Sequence, residues 1–204
     1  MIALSELIGK EKIAWRYDPV LLTGHYTIQK HLATFEHMAK RISGHIDRCI
    51  FSFVEMYKKL EQNMPELIPL TTDDMNELAK GLGYIAQKYH IPIQTCGTNG
   101  DYSQYSITAS GCTTLEMIGK ANHIKFRKLK HKGARQGCHC IESRDIGAYD
   151  TCLNGCKYCY ANKKPDIASQ NYKLHDKNSP LLLGNVKPTD TLQIGIQRSM
   201  KIKK

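Results

Sequence analysis

The stretch Lys12-Ile13-Ala14-Trp15-Arg16-Tyr17-Asp18-Pro19 decides how the first half of the chain is read. Its apolar and aromatic residues predict a strand through Tyr17, and Asp18-Pro19 predicts the stop. A loop with Gly24 follows. Residues 27–43 then carry Ile28, Leu32, Phe35, Ala39 and Ile42 on one helical stripe, and Ser43-Gly44 ends that helix. Cys49-Ile50-Phe51-Ser52-Phe53-Val54 is β-branched and aromatic in composition and predicts a second strand. A short helix is expected around residues 56–63. Thr72-Asp73-Asp74 predicts a helix start, with acids at the positive end of the helix dipole. Met75, Leu78, Leu82, Ile85 and Tyr89 supply that helix's buried face. Gly81 and Gly83 stand against it, since each costs about 1 kcal/mol in a helix interior. Ile91-Pro92-Ile93-Gln94-Thr95 predicts a third strand.

Strand–helix–strand–helix–strand order argues for an α/β fold with a parallel sheet. Ligands in such sheets gather at the carboxyl ends of the strands. Arg16 and Asp18 close the first strand, Glu55 the second and Cys96 the third. With 204 residues the chain falls short of a complete eight-fold barrel, which takes about 250. The expected architecture is a partial TIM-like (β/α) barrel over residues 1–119. An irregular, cysteine-rich region over 120–204 is expected to pack on the same domain. After Asn99-Gly100 the periodicity fades, with only a short helix expected at 113–119. A long irregular stretch inside a compact domain needs something to hold it, and a metal cluster would do so.

Charge follows the same division. Residues 1–119 hold 11 Lys and Arg against 13 Asp and Glu, whereas residues 120–204 hold 18 against 6. The basic half suits a polyanion or a phosphorylated substrate, and equally a solvated basic face. The segment Lys120, Lys125, Arg127, Lys128, Lys130 and Lys132 has only Phe126 for base stacking, which ranks nucleic acid low among the partners. No apolar run approaches the ~18 residues of a membrane-spanning helix. The start Met1-Ile2-Ala3-Leu4-Ser5-Glu6-Leu7-Ile8 lacks the basic residues of a signal peptide, so a cytoplasmic location is expected.

Six of the eight cysteines fall between Cys112 and Cys159. A cytosolic protein does not normally keep structural disulfides, so close cysteines point to metal or redox chemistry. Cys152-Leu153-Asn154-Gly155-Cys156-Lys157-Tyr158-Cys159 has C-x3-C-x2-C spacing. Three thiolates on such a loop can hold three irons of a [4Fe–4S] cube. The fourth iron is left open to a small chelating molecule. A zinc loop is the alternative, and would need a fourth ligand such as His139 or another cysteine. Arg135-Gln136-Gly137-Cys138-His139-Cys140 supplies two more thiols. With Cys96 and Cys112 these could complete a four-thiolate site for zinc or a second cluster, unless Cys96 and Cys112 are simply buried. Cys49, inside a strand, is expected in the core.

The spacing, with Tyr158 just before the last cysteine, resembles the cluster motif of radical S-adenosylmethionine (SAM) enzymes. As a whole the sequence resembles the family called domain of unknown function 1848. The strings that carry this are Trp15-Arg16-Tyr17-Asp18-Pro19, Cys138-His139-Cys140, Asp145-Ile146-Gly147-Ala148-Tyr149-Asp150-Thr151-Cys152, Cys156-Lys157-Tyr158-Cys159-Tyr160-Ala161-Asn162 and His175-Asp176-Lys177-Asn178-Ser179-Pro180-Leu181. The resemblance implies a cysteine cluster similar to that of radical SAM enzymes, with Tyr158 and Asn162 beside the cofactor. It also implies a missing N-terminal segment with further strands, which a partner chain could supply. Only 45 residues follow Cys159, too few for the rest of an ordinary radical SAM barrel, and no glycine-rich SAM-binding stretch follows the cluster.

Two functions are therefore expected to compete. One is a radical-SAM-like iron–sulfur enzyme, with SAM as a candidate cofactor and Arg16, Tyr17 and Asp18 lining the side of an unknown substrate. There Arg16 would clamp a carboxylate or phosphate. The other is a non-catalytic metal-binding module or truncated pseudoenzyme stapled by zinc or a closed cluster.

Overall fold

The computed structural model describes residues 1–98, 100–127, 137–143, 146–191, 194–195 and 201–202. The chain forms two compact units. Met1–Glu55, Glu66–Ser143 and Met200–Lys204 make the first, and Met56–Pro65 with Arg144–Ser199 the second.

The first unit contains α1 (Ile2–Ile8), β1 (Ala14–Val20), α2 (Ile28–Ile42) and β2 (Arg48–Phe53). The second unit contributes α3 (Lys58–Asn63), and the chain returns to the first for α4 (Thr72–Lys88), β3 (Ile93–Thr95), β4 (Ile107–Ala109) and α5 (Leu115–Asn122). The four strands lie in the order β1-β2-β3-β4, all parallel. Trp15, Cys49, Ile93 and Ile107 stand in one row across the sheet. Side chains alternate between faces, so these four share a face. They pack with Phe35 and Ala39 of α2 and Leu78, Leu82 and Ala86 of α4 in one core. Trp15 stacks on Phe35 with ring centroids 4.6 Å apart. Cys49 is fully buried there, as expected. The next row, Arg16, Ile50, Gln94 and Thr108, faces the other way. One side of the sheet is thus apolar and covered by helices, and the other carries polar groups near the strand ends.

Helix α4 starts where expected. Thr71 accepts a hydrogen bond from the Asp74 N–H at 3.1 Å, and the Asp74 carboxylate accepts from the Thr71 N–H at 2.9 Å. The two glycines inside α4 have steric roles. A Cβ at Gly83 would lie 2.4 Å from the Tyr105 carbonyl oxygen, so this position lets the turn before β4 press onto the helix. At Gly81 the near neighbour is the Leu32 side chain of α2.

Several expectations need correction. Asp18-Pro19 does not stop the first strand: β1 runs to Val20, with the register slipping between Tyr17 and Val20. The Asp18–Pro19 peptide is cis. β1 is an edge strand, where a missing N–H leaves no sheet partner short. The sheet is open, with four strands among the described residues, and does not close into a barrel. β4 lies where the sequence pattern fades, because Ile107 is its one large apolar residue. Helix α1 was not foreseen either.

In the second unit, α6 (Pro165–Lys173) interrupts the stretch read as irregular. Its start is marked by Pro165 in the first turn, where a missing N–H costs nothing. Buried Asp150 ties it down: its carboxylate accepts from the Lys163 N–H, and its carbonyl accepts from Asn171 at 2.9 Å. Among the described residues no helix is long and apolar enough to cross a membrane.

Candidate metal centres

In the first unit, three cysteines distant in sequence meet on the polar side of the sheet. Cys96 directly follows β3, and its N–H reaches the Phe51 carbonyl at 3.2 Å. Cys112 comes shortly after β4. Gln94, facing the same way as Arg16, donates to the Gly111 carbonyl at 3.1 Å and fixes the turn before Cys112. Ile141 N–H binds the Thr113 carbonyl at 3.0 Å and brings Cys140 alongside. The thiols of Cys112 and Cys140 are 3.3 Å apart, and those of Cys96, Cys112 and Cys140 all lie within 4.8 Å of one another. Three thiols at this spacing could hold a metal ion. The thiol of Cys138, the fourth residue of the expected set, lies near Cys140 but outside the group within 4.8 Å.

This approach depends on Gly111. A Cβ there would come within 2.5 Å of the His139 carbonyl oxygen and 2.8 Å of the Cys140 Cα, both backbone atoms. Neither Gln94 nor Gly111 was foreseen as part of the site. The only sequence signal was glycine directly before cysteine.

The thiols differ in acidity. Burial raises Cys140 to about 12. Burial, with the neighbouring Cys112, raises Cys96 as well. Burial also acts on Cys112, but hydrogen bonds from Cys140, Cys96 and Arg16 and the Arg16 charge outweigh it, so Cys112 lies below its ordinary value. Cys112 is therefore the first of the three to become a thiolate.

Arg16 and Asp18 come together beside this group. Arg16 Nε donates to Asp18 Oδ2 at 3.1 Å, and Ser52 donates to the other carboxylate oxygen. Arg16 also lies close enough to Cys112 for its charge to act on that thiol. Its side chain is 47% exposed, against 17% for Asp18. Tyr17 faces the other way. Its hydroxyl meets His31 Nδ1 at 2.8 Å, its ring packs edge-on against Trp15 and Phe35, and burial raises its phenol to about 12.

In the second unit, Cys152, Cys156 and Cys159 line one cavity of about 350 Å³. Helix α3 holds the loop from a hundred residues earlier in sequence. Lys59 donates to the carbonyls of Cys159, at 3.1 Å, and Asn162. Asn63 donates to the Lys157 carbonyl at 3.2 Å, and Tyr57 to that of Tyr158. Asn162 in turn donates to the Cys152 carbonyl. Gly155 sits at φ +66°, a backbone conformation that a side chain would strain. The wall carries Lys59, Lys157 and Lys163 and no carboxylate. Asn162 lines the cavity, and its Oδ1 is buried with no hydrogen-bond partner. Tyr158 is 40% exposed and is not part of the lining. The sequence did not single out Lys59 and Asn63, since nothing local to α3 signals a contact with the cysteine loop.

The sequence profile of the domain of unknown function 1848 matches residues 1–161. The chain belongs to this family. Neither curated proteins nor solved structures provide a match to it. The expected membership is thus met over most of the chain, and a family without assigned activity leaves the chemistry to be argued from the two cysteine groups.

Proposed function

We propose that this member of the family is an iron–sulfur protein with radical-SAM-like chemistry, holding a [4Fe–4S] cluster through Cys152, Cys156 and Cys159. One observation carries the reading: the three cysteines of a C-x3-C-x2-C loop line a single cavity. The lining suits the group. A cube bound by three thiolates is anionic, and three lysines with no carboxylate balance it. The unpartnered Asn162 Oδ1 offers an acceptor to an N–H or O–H donor of a small molecule at the open iron. When bound, such a cluster supplies a single electron to a chelated sulfonium cofactor, which is how radical SAM chemistry begins. The protein's part is to orient the loop, through Lys59, Asn63 and Tyr57, and to hold the small molecule at Asn162.

The test is anaerobic reconstitution with iron and sulfide, followed by electron paramagnetic resonance of the reduced protein with and without SAM. A [4Fe–4S] signal that shifts on adding SAM supports the reading, and 5′-deoxyadenosine among the products extends it to catalysis. A signal indifferent to SAM overturns the enzymatic part. It would favour the second reading, a non-catalytic metal-binding module, for which the close thiols of Cys96, Cys112 and Cys140 speak.

A further inference from the structure

We propose that Cys96, Cys112, Cys138 and Cys140 bind a single zinc ion tetrahedrally in the first unit. This is a second metal site, of a different class from the cluster loop. It does not rest on the cluster reading, because the two share no ligand.

Sulfur spacing separates the two classes of metal. Zinc–sulfur bonds of about 2.3 Å at a tetrahedral centre put neighbouring thiolates about 3.8 Å apart. Thiolates on different corners of an iron–sulfur cube stand much farther apart, because each sits on its own iron and points away from the cube. Cys112 and Cys140 are 3.3 Å apart, and Cys96 completes a trio within 4.8 Å. That is the spacing of ligands sharing one ion. The Cys138 thiol stands next to Cys140 but outside the trio within 4.8 Å, and it would swing in to take the fourth position when the ion binds.

The surroundings are built for the job. Four thiolates around one divalent ion leave a net charge of −2, and the Arg16 guanidinium lies against Cys112 to offset part of it. Asp18 and Ser52 hold Arg16 in turn. Outer contacts of this kind orient ligands and tune a site. Gln94 and Gly111 fix the backbone that carries Cys112. The ligands come from the ends of β3 and β4 and from residues 138–140, so one ion would tie these segments together on the polar side of an open sheet.

The test uses the full chain with Cys152→Ser, Cys156→Ser and Cys159→Ser, purified reduced and metal-free, and titrated with cobalt(II). The expected result is one cobalt per chain, with sulfur-to-cobalt charge transfer and the strong visible bands of a tetrahedral thiolate site, bleached by zinc. Adding Cys112→Ser should weaken those bands and the affinity. Arg16→Met should keep the spectrum and bind about 10–100-fold less tightly. In case the triple variant does not fold, zinc-edge X-ray absorption on the unaltered chain gives an independent readout, with four sulfur neighbours at about 2.3 Å expected. A weak octahedral cobalt spectrum, iron–sulfide absorption on reconstituting the triple variant, or a Cys112–Cys140 disulfide in place of metal would each overturn the proposal.

Discussion

Replacing Gly111 by alanine adds one methyl group at a tight backbone crossing in the first unit. Gly111 has no positive φ, so alanine brings no backbone penalty of its own, and the effect is steric. The new Cβ would meet three backbone neighbours at 2.5, 2.7 and 2.8 Å, where ordinary contact begins at 3.4 Å. The Cys138–Cys140 segment must therefore retreat by 0.6–0.9 Å. Metal ligands tolerate departures of only about 0.2 Å from their bond lengths. Overpacking of this kind costs about 1–3 kcal/mol. If the metal-free chain relaxes by letting the segment drift away, the whole cost appears in metal binding. The expected loss of zinc affinity is then about 5- to 150-fold. The assay is competition against a chelator of known affinity, run beside iron content after reconstitution. Zinc affinity should fall while iron at Cys152, Cys156 and Cys159 is unchanged. Unaltered zinc binding, or an equal loss of iron, would refute the argument that this crossing sets the thiol spacing.

Other outcomes follow from the same geometry. Gly83→Ala should lower the urea midpoint despite alanine's better helix propensity, because its Cβ meets the Tyr105 carbonyl oxygen at 2.4 Å. Gly81→Ala meets only the movable Leu32 side chain and should be neutral or stabilising, so equal effects at both positions would show that backbone contact is not what matters. Thr71→Ala removes the N-cap of α4 and should cost about 1 kcal/mol in equilibrium unfolding. Hydrogen bonds from the Thr71 side chain and backbone hold Asp74 below its ordinary value of 3.8. Its contribution is therefore complete above that value and is lost as pH falls through the lower, folded one. Asp74→Asn should flatten the acid limb of stability against pH, and an unchanged acid limb would count against the capping box. Lys59→Met removes the donor to the Cys159 and Asn162 carbonyls and should reduce iron bound per chain on reconstitution. Full iron loading would show that α3 does not hold the loop.

The elements legible in the sequence were those that signal themselves locally. The stripe from Ile28 to Ile42 gave away α2. The β-branched and aromatic run at Cys49–Val54 marked β2. Thr71 and Asp74 illustrate a helix start, where one turn contains both partners. The Cys152–Cys159 loop and the Cys138-His139-Cys140 pair could be named from the sequence because thiols close together in a chain are rare without a purpose. β4 stayed hidden because Ile107 is its one large apolar residue, whereas β3, equally short, was marked by Ile91 and Ile93. Asp18-Pro19 misled because a proline's effect depends on whether its strand lies at an edge, and strand order is not local information.

By itself the sequence determined the α/β class, the parallel strand order implied by alternating elements, the family, and the candidate ligands Cys96, Cys112, Cys138, Cys140, Cys152, Cys156 and Cys159. Only the tertiary structure decided which of these meet and at what spacing. Cys96, Cys112 and Cys140 are brought within one ion's reach by parallel pairing of β3 with β4, by Gln94 and by the missing side chain of Gly111. The same folding separated Tyr17 from Arg16, since adjacent residues of a strand point to opposite faces. Periodicity and spacing are written along the chain, whereas a ligand distance is a sum of long-range packing choices that no local pattern encodes.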